Sequence, residues 1–259
     1  MPRQPPRSPG SIIAPVRSPR HGLARVLSKL GICSRSQAEH WIRDGRVSVD
    51  GSIVRDPFHP TLLGRDRVAL DGEALKSTEC TYVLFNKPRG LLVSRADEKG
   101  RDTVYSALAS AGLPWLGPVG RLDKASEGLL LLTNDTIWAA GITSPSTHVG
   151  KTYHVQVVGR PDAAVLSRML SGISDDGELL RARSAVLLRV GEKNAWLEVV
   201  LDEGRNRHIR RLLAALGHGV LRLIRVAVGP VSLGDLPKGQ WRHLSVEEVQ
   251  ALDTRTRSS

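Results

Sequence analysis

The chain has 259 residues, 41% of them hydrophobic, enough for one large domain or two smaller ones around a buried core. Its 37 Lys+Arg against 26 Asp+Glu give a formal net charge of +11 and point to a polyanionic partner such as nucleic acid. No apolar run reaches membrane-spanning length, and two distant cysteines, Cys33 and Cys80, argue against a disulfide framework or a thiolate zinc site, so a reducing cytoplasm is the expected setting.

Residues 1–20 are rich in Pro, Arg and Ser without an apolar h-region and read as a disordered basic tail rather than a secretory signal. A first module is expected over residues 21–78. Leu23, Val26, Leu27 and Leu30 recur at helical spacing, Gly31 supplies a stop, and Arg25 and Lys29 share another face. Ser34 can cap a second helix carrying Ala38, Trp41 and Ile42, ended by Gly45, with Arg35 and Arg43 outward. Val47 and Val49 then alternate as a strand, Asp50-Gly51 is a hairpin signal leading to Ile53 and Val54, and Asp71-Gly72 closes the unit. Because Arg25, Lys29, Arg35, Arg43 and Arg46 alternate with Glu39 and Asp44, each basic residue taken singly reads as solvated.

A larger module is expected over residues 79–259. Tyr82 to Phe85 form a buried strand that runs into a loop forced by Pro88 and Gly90. Helices are expected near Val104 to Ala111 and Ala163 to Ser171, and strands at Thr152 to Val158, Ser184 to Val190, Ala195 to Leu201 and Val220 to Val228. That mixture is α+β. Between them, Gly120-Arg121-Leu122-Asp123 precedes the apolar run Leu129 to Leu132, which places one carboxylate in a loop beside a buried segment. Asp123 either caps the turn before Ser126 or is the working group of an enzyme acting on a polyanion. Further on, Glu203 to Arg211 leads into a helix with an apolar stripe of Ile209, Leu212, Leu213 and Leu216. Arg207, Arg210 and Arg211 fall on the opposite face, suited to phosphates or a carboxylate, with a merely solvated face as the alternative.

Competing motifs fail on spacing. Gly150-Lys151-Thr152 resembles the end of a phosphate-binding loop, but Pro145 occupies the position of its first glycine. No Gly-x-Gly-x-x-Gly follows a strand, no His-Glu-x-x-His or Gly-x-Ser-x-Gly is present, and His148 and His154 lack a carboxylate pattern.

The stretch from Gly22 through Gly51 resembles the S4 RNA-binding domain, whose basic helix face grips structured RNA; the resemblance makes Arg25, Lys29, Arg35, Arg43 and Arg46 the RNA-binding candidates. Four further segments are similar, in order, to rRNA pseudouridine synthases of the branch carrying an N-terminal S4 domain: Lys87 to Gly90, Gly120 to Asp123 with Glu127 to Asp135, Lys151 to Tyr153, and Glu203 to Arg211 with Leu223 to Gly229. The resemblance covers about residues 21–250 and implies a small S4 domain followed by a mixed-sheet catalytic domain. It implies isomerisation of one uridine: the N-glycosidic bond breaks, the base turns, and it is rejoined through carbon, without cofactor or metal. Asp123 matches the catalytic aspartate, which acts on the sugar as nucleophile or as base and must be ionised for either. Arg210 matches the arginine that pairs with it and would hold its pKa down, with Arg205 the second choice. Tyr153 matches the tyrosine that lies against the flipped base. Arg121 would fill the gap the base leaves, Lys87 and Lys151 would support loops and contact phosphates, and Arg207 and Arg211 would bind substrate.

The sequence departs from the family pattern at Gly150, where an acidic residue is frequent, and at His208, where glutamine is common. The expected partner is ribosomal RNA or a ribosome-assembly intermediate, bound by a monomer. Glu203 to Arg207 and the ending Leu236 to Leu244 look more like the large-subunit enzymes. The alternative from another class is a non-catalytic RNA-binding or assembly factor, against which the intact set of Asp123, Tyr153 and Arg210 argues.

Overall fold

The computed structural model describes residues 20–76, 78–94 and 102–257. The stretch read as a basic tail lies outside them except for Arg20. The chain divides into two compact units, one from the residues up to Leu27 with Arg35–Leu75, the other from Ser28–Ser34 with Lys76 onward.

The N-terminal helices α1 (Leu23–Lys29) and α2 (Arg35–Arg43) bury Leu23, Val26, Leu27, Ala38 and Ile42, the residues whose spacing predicted the helices. Gly31 and Gly45, both at φ +74°, end them in the left-handed region that glycine enters without a Cβ clash. Strands β1 (Val47–Val49), β2 (Ser52–Ile53), β3 (Val68–Leu70) and β4 (Glu73–Ala74) form a sheet in the order β2-β1-β3-β4. Both tight turns have positive φ at their two central residues, Asp50-Gly51 at +48° and +83° and Asp71-Gly72 at +51° and +86°, as type I′ hairpins require. Of the basic residues expected to bind RNA, Arg25 and Arg35 are exposed and engaged by no hydrogen bond or ion pair among the described residues. Arg43 pairs with Glu39 at 3.3 Å. Arg46 forks onto Asp71 at 2.5 Å and lies 5.4 Å over the Trp41 ring, so its guanidinium ties α2 to the β3–β4 turn and is not a free cation.

The second unit is α+β around one mixed sheet of nine strands. Its elements are β5 (Tyr82–Lys87), α3 (Val104–Ala107), β6 (Gly117–Pro118), β7 (Glu127–Thr133), α4 (Thr136–Thr143), β8 (Lys151–Val158), α5 (Ala163–Ser171), a small hairpin of β9 (Ile173–Asp175) and β10 (Glu178–Leu180), β11 (Ser184–Val190), β12 (Asn194–Leu201), α6 (His208–Ala214), β13 (Val220–Val228), β14 (Val231–Ser232), β15 (Trp241–His243) and α7 (Val246–Leu252). The main path runs β11-β12-β8-β13-β7-β5-β15, with β14 beside β13 and β6 beside β7. Only the β13–β7 pair in this sheet is parallel.

Every residue of β7 is buried, as a strand covered on both faces must be. Its alternation sorts the leucine run: Leu130 and Leu132 join Val83, Phe85 and Ile209 in one core, while Leu129 and Leu131 join Leu84, Trp138 and Ile142 in the other. Gly128 sits where β7 meets β13, paired with Arg225 at φ +100°. A Cβ there would come 2.3 Å from the Arg225 carbonyl oxygen, so only glycine lets the strands close just behind the Asp123 loop.

Candidate active site

The loop between β6 and β7 holds Asp123, and each carbonyl of its last four residues is spoken for. The Asp123 carbonyl accepts from the Ser126 amide at 3.0 Å and the Lys124 carbonyl from the Gly90 amide at 2.8 Å. The Ala125 carbonyl accepts from Arg210 Nη2 at 3.2 Å, and the Ser126 carbonyl from Lys87 Nζ at 2.8 Å. The turn before Ser126 is therefore closed by backbone, and the Asp123 carboxylate is not its cap. That carboxylate is half-buried and engaged by no hydrogen bond or ion pair among the described residues.

The carboxylate lines a cavity of about 440 Å³ together with Arg121, Lys151, Tyr153, Arg205 and Arg225. A smaller recess of about 90 Å³ adjoins it, bounded by Asp123, Ser126, Tyr153, His208 and Leu223. Tyr153, 8% exposed, is the third residue of β8, held between Val199 of β12 and Arg225 of β13. The fold thus gathers Asp123, Tyr153, Arg121, Lys151, Arg205 and Arg207 around one space.

Several expectations need correction. Arg210 does not form an ion pair with Asp123: its Nη2 is on the Ala125 carbonyl and its Nη1 on the Val220 carbonyl at 3.3 Å. Burial lowers its pKa, helped by the nearby charge of Arg207, while the Asp123 carboxylate acts in the opposite direction. Arg207 is not on the helix face: it precedes α6 in the left-handed region, at φ +50°, with its side chain exposed. Arg211 leaves the cavity altogether, bonding Asp175 and Glu178 at 2.6 Å each and so fastening α6 to the β9–β10 hairpin. Arg205 lines the cavity but is paired with Glu203 at 3.0 Å, which removes it as the partner of Asp123. Lys151 bonds the Ile142 carbonyl at 3.1 Å and still lines the cavity.

Lys87 is fully buried, its ammonium on the Pro88 and Ser126 carbonyls at 3.1 and 2.8 Å, which makes it a support of the loop rather than a phosphate contact. Burial pushes it down to about 8 against the pull of Glu127 and Asp123. Between about pH 8 and an unfolded value of about 10.4 the unfolded chain binds the extra proton, so stability rises with pH through this window and is lost as pH falls through 8. Urea midpoints of Lys87→Met across pH 7–10 are expected to lack that rise; a wild-type slope in the variant would remove Lys87 as its source.

Other residues at the site were not anticipated. Glu127 is 3% exposed, receives both Arg222 nitrogens at 3.1 Å and pairs with Lys238. Burial alone would raise its pKa, yet Arg222 and Lys238 hold it below the usual carboxylate value. This ion cluster pins the start of β7 to β13 and to the loop before β15. In the sequence Glu127 begins the segment that runs to Asp135, one glycine ahead of the leucine run. Arg225, 4% exposed, bonds the Leu129 carbonyl at 2.7 Å and lines the cavity from β13. Burial and the Arg225 charge together lower the pKa of Lys151. Ser126 and His208, at the floor of the recess, are likewise buried.

The chain matches the RNA pseudouridylate synthase family over residues 81–215 and the S4 domain over residues 22–59. It is 39% identical over 223 residues to an uncharacterized RNA pseudouridine synthase of Rickettsia bellii, covering 86% of this chain and 96% of that one. It is 34% identical over 233 residues to ribosomal large subunit pseudouridine synthase B of Bacillus subtilis, covering 89% and 94% respectively. Among solved structures, a crystal structure of a pseudouridylate synthase superposes with a TM-score of 0.61 at 32% identity, over 91% of this chain and 100% of the other.

Proposed function

The chain belongs to the RNA pseudouridylate synthase family, and from that membership we propose that it converts one uridine of large-subunit ribosomal RNA to pseudouridine. The observation that carries the reading is the Asp123 carboxylate, unencumbered in its cavity while the loop beneath it is anchored at four carbonyls. A group meant to attack a sugar or take its proton needs that combination of a free functional atom and a fixed backbone.

In this reading the target uridine leaves its stack and enters between Asp123 and Tyr153, whose ring covers the base. The bond between N1 and the sugar C1′ breaks, the base turns, C5 bonds to C1′, the C5 proton leaves, and N1 gains one. Asp123 serves the sugar, as nucleophile or base. Arg121, Arg207 and Lys151 line the approach of the phosphate backbone. Arg210 supports Asp123 from behind through Ala125.

The test is a pseudouridine map of ribosomal RNA from a strain lacking this protein. One site missing from the large-subunit RNA, restored by the purified chain, is the expected result. A missing site in small-subunit RNA would overturn the choice of substrate, and a complete map would overturn the activity.

We assign RNA gripping to residues 21–78 and catalysis to residues 79–259. Within the first, Arg25 and Arg35 are the RNA-binding candidates that are exposed and engaged by no hydrogen bond or ion pair among the described residues. Replacing both with Ala is expected to weaken rRNA binding at every site sequence and to reduce the salt slope of log K by about 2, since each released phosphate contact contributes about 0.9. A slope equal to that of the wild type, measured by filter binding between 50 and 200 mM salt, would remove this role.

A further inference from the structure

Buried polar side-chain atoms nearly always have partners, and each exception asks for a reason. Among the described residues six such atoms lack one, and all but Trp115 Nε1 belong to Ser126, His208, Arg210 and Arg225, which line the Asp123 cavity and its recess or hold its loop. Three of the six are Ser126 Oγ and both ring nitrogens of His208, in residues that bound the 90 Å³ recess together with Asp123 and Tyr153. Ser126 is 1% and His208 3% exposed, so both side chains are shielded from bulk solvent.

We propose that this recess seats the uracil ring, with His208 and Ser126 donating hydrogen bonds to its two carbonyl oxygens both before and after the base turns. The inference rests on the pseudouridine synthase reading. Uracil carries a carbonyl, an N3–H and a second carbonyl in sequence, symmetric about the axis from N3 to C6. Turning the ring about that axis exchanges N1 with C5 and O2 with O4 and leaves this edge pattern unchanged. One pair of donors therefore serves substrate and product, and the protein has nothing to rearrange while the base is detached.

The two side chains suit the task. A serine hydroxyl rotates freely, and an imidazole with neither nitrogen engaged can carry its proton on either one. The Arg181 backbone interacts with the ring and favours its protonated form, short of the geometry of a closed hydrogen bond. Burial, aided by Arg205 and Arg211 and opposed by Glu203, lowers the His208 pKa, which keeps the ring neutral and spares the recess an uncompensated charge. Neither residue transfers a proton; both hold the ring while N1–C1′ breaks and C5–C1′ forms.

The experiment uses the full chain and a stem-loop RNA spanning the mapped site, synthesised with uridine, 2-thiouridine or 4-thiouridine at the target, because sulfur accepts hydrogen bonds poorly. The wild type is expected to convert the thio substrates roughly tenfold more slowly than uridine. His208→Leu and Ser126→Ala should each lose roughly tenfold on uridine and shrink the thio penalty to about twofold, while His208→Gln, whose amide still donates, should keep most of both. Thio penalties that are absent in the wild type, or unchanged in both Ser126→Ala and His208→Leu, would overturn the inference; if the leucine variant does not fold, Ser126→Ala decides alone. A wild-type chain that converts none of the three RNAs would instead overturn the activity itself.

Discussion

Asp123→Asn is expected to lower pseudouridine formation by about 10³-fold or more while rRNA affinity stays within about twofold. Asn keeps the size of the side chain and fits the same loop, because the four carbonyls that shape the turn are bonded by the Ser126 and Gly90 amides, Arg210 and Lys87, none of them through the carboxylate. What it removes is the anionic oxygen, without which neither attack on C1′ nor removal of a sugar proton is open. Binding survives because the contacts expected to carry it, around Arg121, Arg207 and Lys151 and in the S4 unit, do not depend on Asp123. Release of tritium from RNA labelled at uridine C5, measured beside filter binding, separates the two. A variant retaining a tenth of wild-type turnover would remove Asp123 from the chemistry, and one that lost binding in parallel would mark it as structural.

Arg210→Met is expected to lower kcat about 10²-fold and to destabilise the fold by about 1–3 kcal/mol, since it leaves the Ala125 and Val220 carbonyls without their donor. Arg210→Lys should recover only part of the rate, because a single nitrogen replaces the separate Nη1 and Nη2 that reach the Val220 and Ala125 carbonyls. The contrast is its neighbour. Arg211→Met breaks the ion pairs with Asp175 and Glu178 and should cost stability with kcat nearly unchanged, because those contacts fasten α6 to a hairpin outside the cavity. Equal losses of kcat in the two variants would show that α6 acts through its overall placement and not through the Arg210 contact with the Asp123 loop.

Much of the scaffold was legible from local pattern. The Asp50-Gly51 and Asp71-Gly72 turns, the strand over Ser184–Val190 and the helix over Ala163–Ser171 fall where periodicity and turn chemistry put them, because each depends on neighbours a few residues away. The polar side chains around the site were harder to read. Glu127, Arg225 and His208 stand within motif segments, but nothing in a lone sequence marks them as buried, since burial of a polar group is decided by what packs over it. Arg207, Arg210 and Arg211 were read as one helical face and separate into three destinations, the open cavity, the Asp123 loop and the β9–β10 hairpin, while Arg205 pairs with Glu203.

By itself, then, the sequence determined many of the elements, the tight turns and the family, and it singled out Asp123 as a carboxylate of interest in a basic chain. Only the tertiary structure decided that this carboxylate is unencumbered, that Arg210 holds its loop through Ala125 rather than pairing with it, and that His208 and Ser126 lie unpartnered beside it. The reason is reach. Helices and turns form through contacts between close neighbours, whereas the destination of a long charged side chain is set by distant partners, such as Ala125, 85 positions from Arg210, which only the closed sheet brings within hydrogen-bonding distance.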